Sequence, residues 1–385
     1  MSVSDFVDPR VWPAASAGDA RAAALYATSQ AAIDATTGRE ADVFDGEARR
    51  WLAEALAASR GSHLDDILAN APAAAVARHL RRLLADIVRG DPASDARLRT
   101  TLFAMPVIVV AALESGAQPM TLTGVIDTTA LAGTLRDARA FGGCETFALS
   151  TSLVAAAALD IAALPALLAS ARMTEGAGEF VSGALDLPPA PIDVASAVER
   201  VHLRFVVGAV LTPPRVDPLR ETSIGRWGIA FSQSLAKALR APGLSLLALP
   251  RPPEHLVGAV QTGRAAQREV SAQLFASNAI RKFRASYGEP TAIISAHRCA
   301  VAPGGGELRL SLSSPFAARE AEGFRCQLYP YETVQDVAAM LEALMRDCRV
   351  SEVRAMPGVH ADIDPVTGAA LFFKDHGASP GGPIH

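Results

Sequence analysis

The chain has 385 residues, of which 50% are hydrophobic and 20% charged, so it is long enough for a large core and has the composition of a folded protein. Its formal net charge of −4 argues against a main role in nucleic-acid binding, because neutralising phosphates requires a basic surface. The four cysteines are far apart and include no Cys-x-x-Cys pair, which argues against a disulfide framework or a zinc knuckle and favours reduced thiols in a cytoplasmic protein.

The most apolar segments are not typical of membrane spans or secretory signals. Residues 102–113 are too few to cross a bilayer, which needs about 20 apolar residues. Residues 152–170 carry Asp160 and Pro165. The first residues, MSVSDFVDPRVWP, lack a basic and then apolar leader pattern. We therefore expect a cytoplasmic protein without membrane contact.

The first 95 residues show helical periodicity and predict a helical N-terminal region. A first βαβα unit is predicted over 96–173. Its elements are a buried strand at 98–111, a helix near 128–140, a strand at 144–150 and a helix near 159–172. Pro106 within the first strand predicts a bulge or an edge position, because proline cannot donate to a ladder. A linker rich in glycine and proline follows at 174–199.

The order of elements then repeats, which predicts a second βαβα unit over 200–286. Its elements are a strand at 201–211, a helix at 223–240, a strand at 244–250 and a long helix from Glu254 to about Ser286. LAGTLR (131–136) matches LAKALR (235–240) at corresponding places of the two units. Matching letters and matching element order together indicate a tandem duplication of a unit of about 100 residues.

A C-terminal α/β extension is predicted over 287–375, and 376–385 form a tail. TAIISAH (291–297) and ELRLSLS (307–313) read as a hairpin joined across a glycine-rich turn. Further strands are expected at 324–330 and 351–357, around a helix at 332–348 with Thr333 as its N-cap. The predicted fold class is α/β: a helical region, a duplicated βαβα unit and this extension.

GVHADIDPVTG (358–368) is a candidate metal loop. His360, Asp362 and Asp364 alternate as the ligands of hard-cation loops do. In an extended strand, however, alternate residues lie about 6.6 Å apart, too far to chelate one ion. Asp364-Pro365 and Thr367-Gly368 are typical of a turn, so we expect a turn, no metal and no cofactor.

His297 and Cys299 form a second candidate, since they end a strand before a glycine-rich loop. A catalytic Cys/His pair would need both side chains within hydrogen-bond reach and a third group to orient them, and no third group is evident. The favoured interpretation is a hairpin in which these two residues have no catalytic role.

The long helix carries a basic face that could bind a phosphate, a protein partner or RNA. Its residues are Arg264, Arg268, Arg281, Lys282 and Arg284. Basic residues near a helix C-terminus also complement the helix dipole, which is the simpler interpretation. Trp227, near the start of the preceding helix, is either a core anchor or the lining of a ligand cleft. The sequence contains no Walker A, GxGxxG, GxSxG or HExxH motif.

The order of strand 98–111, strand 144–150, Trp227, the long helix and MPG (356–358) before GAALFF resembles the layout of a family of bacterial cytoplasmic proteins defined by a domain of unknown function. The resemblance covers about 98–375. Relatives carry paired cysteines at the stretch matching HADIDPVTG, whereas this chain has none there. The resemblance therefore implies a fold, and it implies neither a thiolate zinc site nor an activity.

These patterns favour a non-enzymatic binding or regulatory protein that uses an interface at the duplicated sheets, with a protein partner, a small ligand or a second copy. One alternative is a metal-assisted hydrolase or transferase with a site near His297 and residues 360–364, which requires these residues to converge. Another is RNA binding through the basic face of helix 254–286.

Overall fold

The computed structural model of the protein describes residues 20–57, 64, 67–68, 71–89, 99–141, 147–159, 163, 167, 175–176, 179–180, 184–213, 218–219, 224–298, 306–314, 316, 321–329, 332–361, 372–373 and 383–384. Before Arg99 the described elements are helices, as predicted for the N-terminal region, and from Arg99 onward helices and strands both occur, which confirms the mixed α/β class.

The helices follow the predicted pattern closely. Those described are α1 Ala20–Asp34, α2 Gly38–Ala57, α3 Ala74–Arg89, α4 Thr128–Asp137, α5 Gly228–Ala238, α6 Leu256–Ser286 and α7 Val334–Asp347. The Thr333 hydroxyl accepts a hydrogen bond from the Asp336 backbone N–H, so the predicted N-cap of α7 is confirmed. Among the described helices, none combines the length and apolarity that crossing a membrane requires.

The strands assemble into two main sheets and three short pairs. Those described are β1 Arg99–Leu113, β2 Met120–Leu122, β3 Phe147–Ser150, β4 Glu175–Gly176, β5 Glu179–Phe180, β6 Ala184–Leu185, β7 Ile192–Val194, β8 Arg200–Thr212, β9 Leu244–Pro250, β10 Glu254–His255, β11 Thr291–Arg298, β12 Gly306–Ser313, β13 Ala321–Gln327, β14 Glu352–His360, β15 Phe372–Phe373 and β16 Pro383–Ile384. The helix predicted near 159–172 lies mostly outside the described residues.

The chain forms two compact units. We call Gly38–Asp65 with Leu80–Gln267 the six-stranded unit, and Met1–Thr37 with Asp66–His79 and Arg268–His385 the four-stranded unit. The predicted boundaries at residues 95 and 286 do not coincide with this division. The N-terminal helical region and α6 each contribute to both units, and composition along the chain carries no signal for such sharing.

The sheet of the six-stranded unit has the order β10-β1-β8-β3-β6, and β9 pairs with β1 on the same side as β10. Pro106 therefore lies in an interior strand and not at an edge. Its carbonyl accepts from the Arg251 backbone N–H at the break between β9 and β10. A backbone N–H at position 106 would also point toward this break. Its absence therefore removes no hydrogen bond between β1 and β8.

The pairing of these strands supports the predicted duplication, which stays a prediction. β1 and β8 run antiparallel at the centre; β9 lies outside β1 and β3 lies outside β8. Val107 pairs with Pro250, and Phe147 pairs with Val210. In both outer pairings the residue numbers of the two partners add up to the same total. A two-fold axis that exchanges the repeats requires this, because it moves one partner forward along the chain by as many residues as it moves the other back.

The predicted linker at 174–199 is more ordered than its composition indicates. β7 pairs with β2, and both Ile192 and Val194 are buried in the hydrophobic core beside α4 and α5. Leu185 and Ala190 are buried as well, so the described apolar side chains of this stretch gain enough burial to hold a proline-rich segment in place.

The sheet of the four-stranded unit has the order β13-β12-β11-β14, with β14 parallel and β12 antiparallel to β11. The predicted hairpin pairing of β11 with β12 is confirmed. Even-numbered side chains of both strands, such as Ile294 and Leu310, join one hydrophobic cluster with residues of α6 and α7. Because strand side chains alternate, the odd-numbered residues form the opposite face.

Candidate functional site

The opposite face of this sheet is polar, yet its side chains on the two central strands, β11 and β12, are buried. Every odd-numbered polar side chain of β11 and β12 is at most 4% exposed. Polar strand faces usually meet solvent, and burying them is costly unless they are paired. We call this surface the polar face; its residues are Thr291, Ser295, His297, Glu307, Arg309, Ser311, Ser313, Arg325 and His360.

His297 is held at both ring nitrogens. Its Nδ1 lies 2.7 Å from the Ala361 carbonyl, and its Nε2 lies 2.8 Å from the Ser295 hydroxyl. A carbonyl only accepts, so Nδ1 carries the proton and donates it, and Nε2 of the neutral ring accepts from Ser295. Burial, with the nearby positive charge of Arg309 adding to it, lowers the pKa of His297 to about 4, which keeps the ring neutral at pH 7.

His360 pairs directly with His297 across the parallel strands, and their ring centroids are 5.6 Å apart. A bulge in β14 between the partners of Ile294 and Ala296 contains Gly358 at φ +85°. The bulge shifts the register by two residues, which preserves the face on which His360 lies. Burial also lowers the pKa of His360.

A charged cluster occupies the neighbouring strand pair. The Glu307 carboxylate accepts from Arg309 Nε and, at 3.0 Å, from Arg325 Nε at both of its oxygens. Arg309 is fully buried, whereas the Arg325 side chain is 48% exposed. Pairing of this kind is what allows a carboxylate and a guanidinium to be buried.

Phe372 and Phe373 of β15, which we call the aromatic pair, lie against the polar face. The Phe372 ring centroid is 5.3 Å from Arg309 Cζ, and the ring fills the space over Gly323, where an added Cβ would come within 2.5 Å of it. The Phe373 centroid is 4.6 Å from that of His360 and 6.0 Å from that of His297. β15 pairs only with β16 among the described strands, so the aromatic pair rests on the face through side chains.

Two buried polar atoms of this face have no hydrogen-bond partner within the described structure: Ser311 Oγ and His360 Nε2. Ser311 is fully buried and lies opposite Gly323 on β13. Unpaired buried polar groups are uncommon and call for a functional or mechanical explanation.

The structure brings His297 and His360 together, as the hydrolase hypothesis requires. Cys299, Asp362 and Asp364 lie outside the described residues, and so does the predicted turn after Asp364. Within the ranges that the structure describes, no three His, Cys, Asp or Glu side chains are grouped to hold a metal ion.

Trp227 is 1% exposed and belongs to the hydrophobic core, with its ring edge-on to Phe231 at 5.5 Å. This environment is that of a core anchor, the simpler of its two interpretations. Its indole Nε1 has no partner in the described part of the chain.

The basic residues of α6 are mostly engaged within the chain. Arg268 forms a two-pronged ion pair with Glu332 at 2.6 and 2.5 Å, with both side chains 11% exposed. Lys282 pairs with Glu322. Arg284 pairs with Glu289 and donates to the Cys348 and Arg349 carbonyls at the end of α7, while Arg281 contacts Asn278 and Arg264 is half-buried. These contacts support a structural role for the basic face.

Sequence reasoning missed most of the polar face, including Ser295, Glu307, Arg309 and Ser311, and it also missed the aromatic pair. A usable signal was present, because ELRLSLS alternates polar and apolar residues throughout, and the hairpin register sets Ser295 opposite Arg309. What no local pattern predicts is that this face is covered.

No protein-family model, curated protein or solved structure matches the chain. The family resemblance found in the layout therefore remains an expectation.

Proposed function

We propose that the chain is a non-enzymatic binding or regulatory protein whose binding surface is the polar face, and that a ligand displaces the aromatic pair from this face. One observation mainly supports this proposal: the polar side chains of β11 and β12 are buried, yet Ser311 Oγ and His360 Nε2 on the same face have no hydrogen-bond partner among the described residues. Each unpaired buried group costs about 1–3 kcal/mol. Packing the aromatic pair on the polar face therefore stabilises the protein less than packing it on an apolar surface of the same size would.

The hydrogen bonds described for this face do not involve the aromatic pair. Ser295, His297 and Ala361 form one chain of bonds, and Glu307 is paired with two arginines. Uncovering the face would leave these bonds in place and give water to the two unpaired atoms. Such a surface is suited to exchange its cover for a ligand.

The sheet of the six-stranded unit has less free surface for the interface that the sequence predicts there. Core residues beside α4 and α5 pack on one of its faces. On the other, Gly263 of α6 lies so close to Leu203 and Phe205 that an added Cβ would come within 2.9 Å and 3.0 Å of them. We therefore place the surface on the four-stranded unit. The reduced-thiol composition supports a cytoplasmic location for this binding protein.

Native mass spectrometry of the full chain, purified without chelator, tests the proposal. The Phe372→Ala/Phe373→Ala variant uncovers the face and is expected to retain a ligand mass or a second copy more fully than the wild type. Phe316→Ala is the matched control, because Phe316 is 85% exposed in the same unit and does not cover the face. Identical spectra for a folded double variant and the control would remove the support for this proposal.

A second candidate, a hydrolase or transferase, is favoured by the contact between Ser295 and His297. The neutral Nε2 is placed to take the hydroxyl proton as Ser295 Oγ attacks an acyl carbon, and to give that proton to the leaving group as its bond to the acyl carbon breaks. The Ala361 carbonyl orients the ring. Both side chains are fully buried, so this chemistry also requires the face to be uncovered.

Labelling with a fluorophosphonate separates the two candidates. The hydrolase candidate predicts a covalent adduct on Ser295 in Phe372→Ala/Phe373→Ala that disappears in the added His297→Asn change. Ser311 serves as the internal control, since it lies on the same face without a histidine partner. Absence of an adduct on Ser295 in the folded, uncovered variant would leave the binding function as the sole candidate.

A further inference from the structure

The chain's own aromatic pair shows which kind of ligand fits the polar face. Phe372 occupies the space over Gly323 and stacks near Arg309, and Phe373 lies edge-on to His360. The two rings thus fill two adjacent sites with different chemistry. We call the space over Gly323 beside Arg309 the notch, and the second site is formed by the imidazoles of His297 and His360. Aromatic rings are attracted to guanidinium groups and to ring edges by their quadrupoles.

Resting on the proposed function, we infer that the polar face binds an extended peptide with two consecutive aromatic residues, which displaces Phe372 and Phe373 from these sites. The aromatic pair is then an intramolecular competitor. It forms no backbone pairing with the four strands among the described residues, and the described contacts that a competing peptide replaces are those of the two rings.

Gly323 defines the specificity of the first site. It lies on the exposed edge strand β13 opposite Ser311, and any side chain at this position would enter the volume of the Phe372 ring. Glycine in a strand often marks a close approach of a ligand or another segment. A peptide whose first aromatic residue is replaced by alanine would leave this notch empty and lose the contact with Arg309.

Calorimetric titration of full-length protein with the synthetic peptide GAALFFKDHG, the sequence of residues 368–377, tests the inference. Phe372→Ala/Phe373→Ala vacates both sites and is expected to bind this peptide at a 1:1 ratio. The wild type should bind it at least about ten-fold more weakly, because its own aromatic pair occupies both sites in most molecules and leaves only a small fraction able to bind the peptide. The peptide with both phenylalanines replaced by alanine should not bind.

Adding Gly323→Val to the double variant fills the notch when no ring is there to clash, so the strand is expected to fold, and peptide binding should be lost. Ala321→Val on the same edge strand is the matched control and should bind as before. A folded double variant that shows no saturable binding of GAALFFKDHG overturns the inference. If that variant still retains another ligand in native mass spectrometry, the proposed function survives; if it retains none, both fail.

Discussion

At the scale of single residues, His297 shows how burial sets protonation. Nδ1 donates its proton to the Ala361 carbonyl, and Nε2 accepts from the Ser295 hydroxyl. Only the neutral ring protonated at Nδ1 can make both of these hydrogen bonds. The position was singled out from the sequence as the end of a strand before a loop, but its partners were not. Ala361 lies 64 positions away, directly after the end of β14, and the parallel pairing of β11 with β14 brings it near.

The lowered pKa of His297 predicts loss of stability in acid. The folded ring takes a proton at about pH 4, whereas an unfolded histidine does so near pH 6.5. The unfolded state therefore binds more protons between these values, and the free energy of unfolding should fall as pH drops, by up to about 1.4 kcal/mol per pH unit. Urea unfolding of the wild type and His297→Asn from pH 7 to 4 measures the effect.

The difference between the two proteins is the informative quantity, because His202 and His360 also have lowered pKa values and contribute to both curves. His297→Asn should flatten the pH dependence between 6.5 and 4. Parallel curves for wild type and variant over that range would contradict the assignment of a neutral, buried imidazole.

The thiols give a second prediction at this scale. Burial raises the pKa of Cys326 to about 12, and Cys326 is 1% exposed in the core; burial also raises the pKa of Cys348, which is only half-buried. Thiolate is the reactive form, so Cys326 should resist iodoacetamide at pH 8 in the native protein while Cys348 reacts slowly. Peptide mapping by mass spectrometry reads both sites in one sample, and alkylation of Cys326 as fast as in urea would disagree with this burial.

At the scale of elements, periodicity predicted most helices and strands to within a few residues, because each has its own apolar pattern and caps. It failed where neighbours decide. Pro106 is tolerated inside a sheet because the adjoining strand is interrupted there, and the proline-rich linker is ordered because Ile192 and Val194 find a core. Neither the interruption of the neighbouring strand nor the position of this core can be predicted from the residues around Pro106 or in the linker.

The aromatic pair should contribute less to stability than core rings do. Phe283 on α6 is fully buried in an apolar cluster, and Phe283→Ala is expected to cost about 3–5 kcal/mol. Phe373 is 8% exposed but lies against imidazoles that can hydrate once it is gone, so Phe373→Ala should cost less than about 2 kcal/mol. Urea unfolding of both variants measures the difference, and equal losses would mean that the pair is an ordinary part of the core.

At the scale of the whole molecule, the fold class and the pairing of the β11–β12 hairpin were predictable, whereas the division into units and the covered polar face were not. Both depend on contacts between residues far apart in sequence, such as Arg309 with Phe372. The predicted duplication has support from matched leucines: Leu131 and Leu235, and likewise Leu135 and Leu239, are all buried in one core. If the repeats are equivalent, Leu135→Ala and Leu239→Ala should each cost about 2–5 kcal/mol in urea unfolding.

We infer that the aromatic pair closes the polar face. Carbethoxylation of histidines by diethyl pyrocarbonate, followed by peptide mass spectrometry, measures whether it does. At pH 7 the neutral His360 ring is reactive wherever the reagent reaches it. We predict slow modification of His297 and His360 in the wild type and, for His360, a rate at least about ten-fold higher in Phe372→Ala/Phe373→Ala, with the rate at His202 in the other unit unchanged. An unchanged rate at His360 in the folded double variant would contradict the claim.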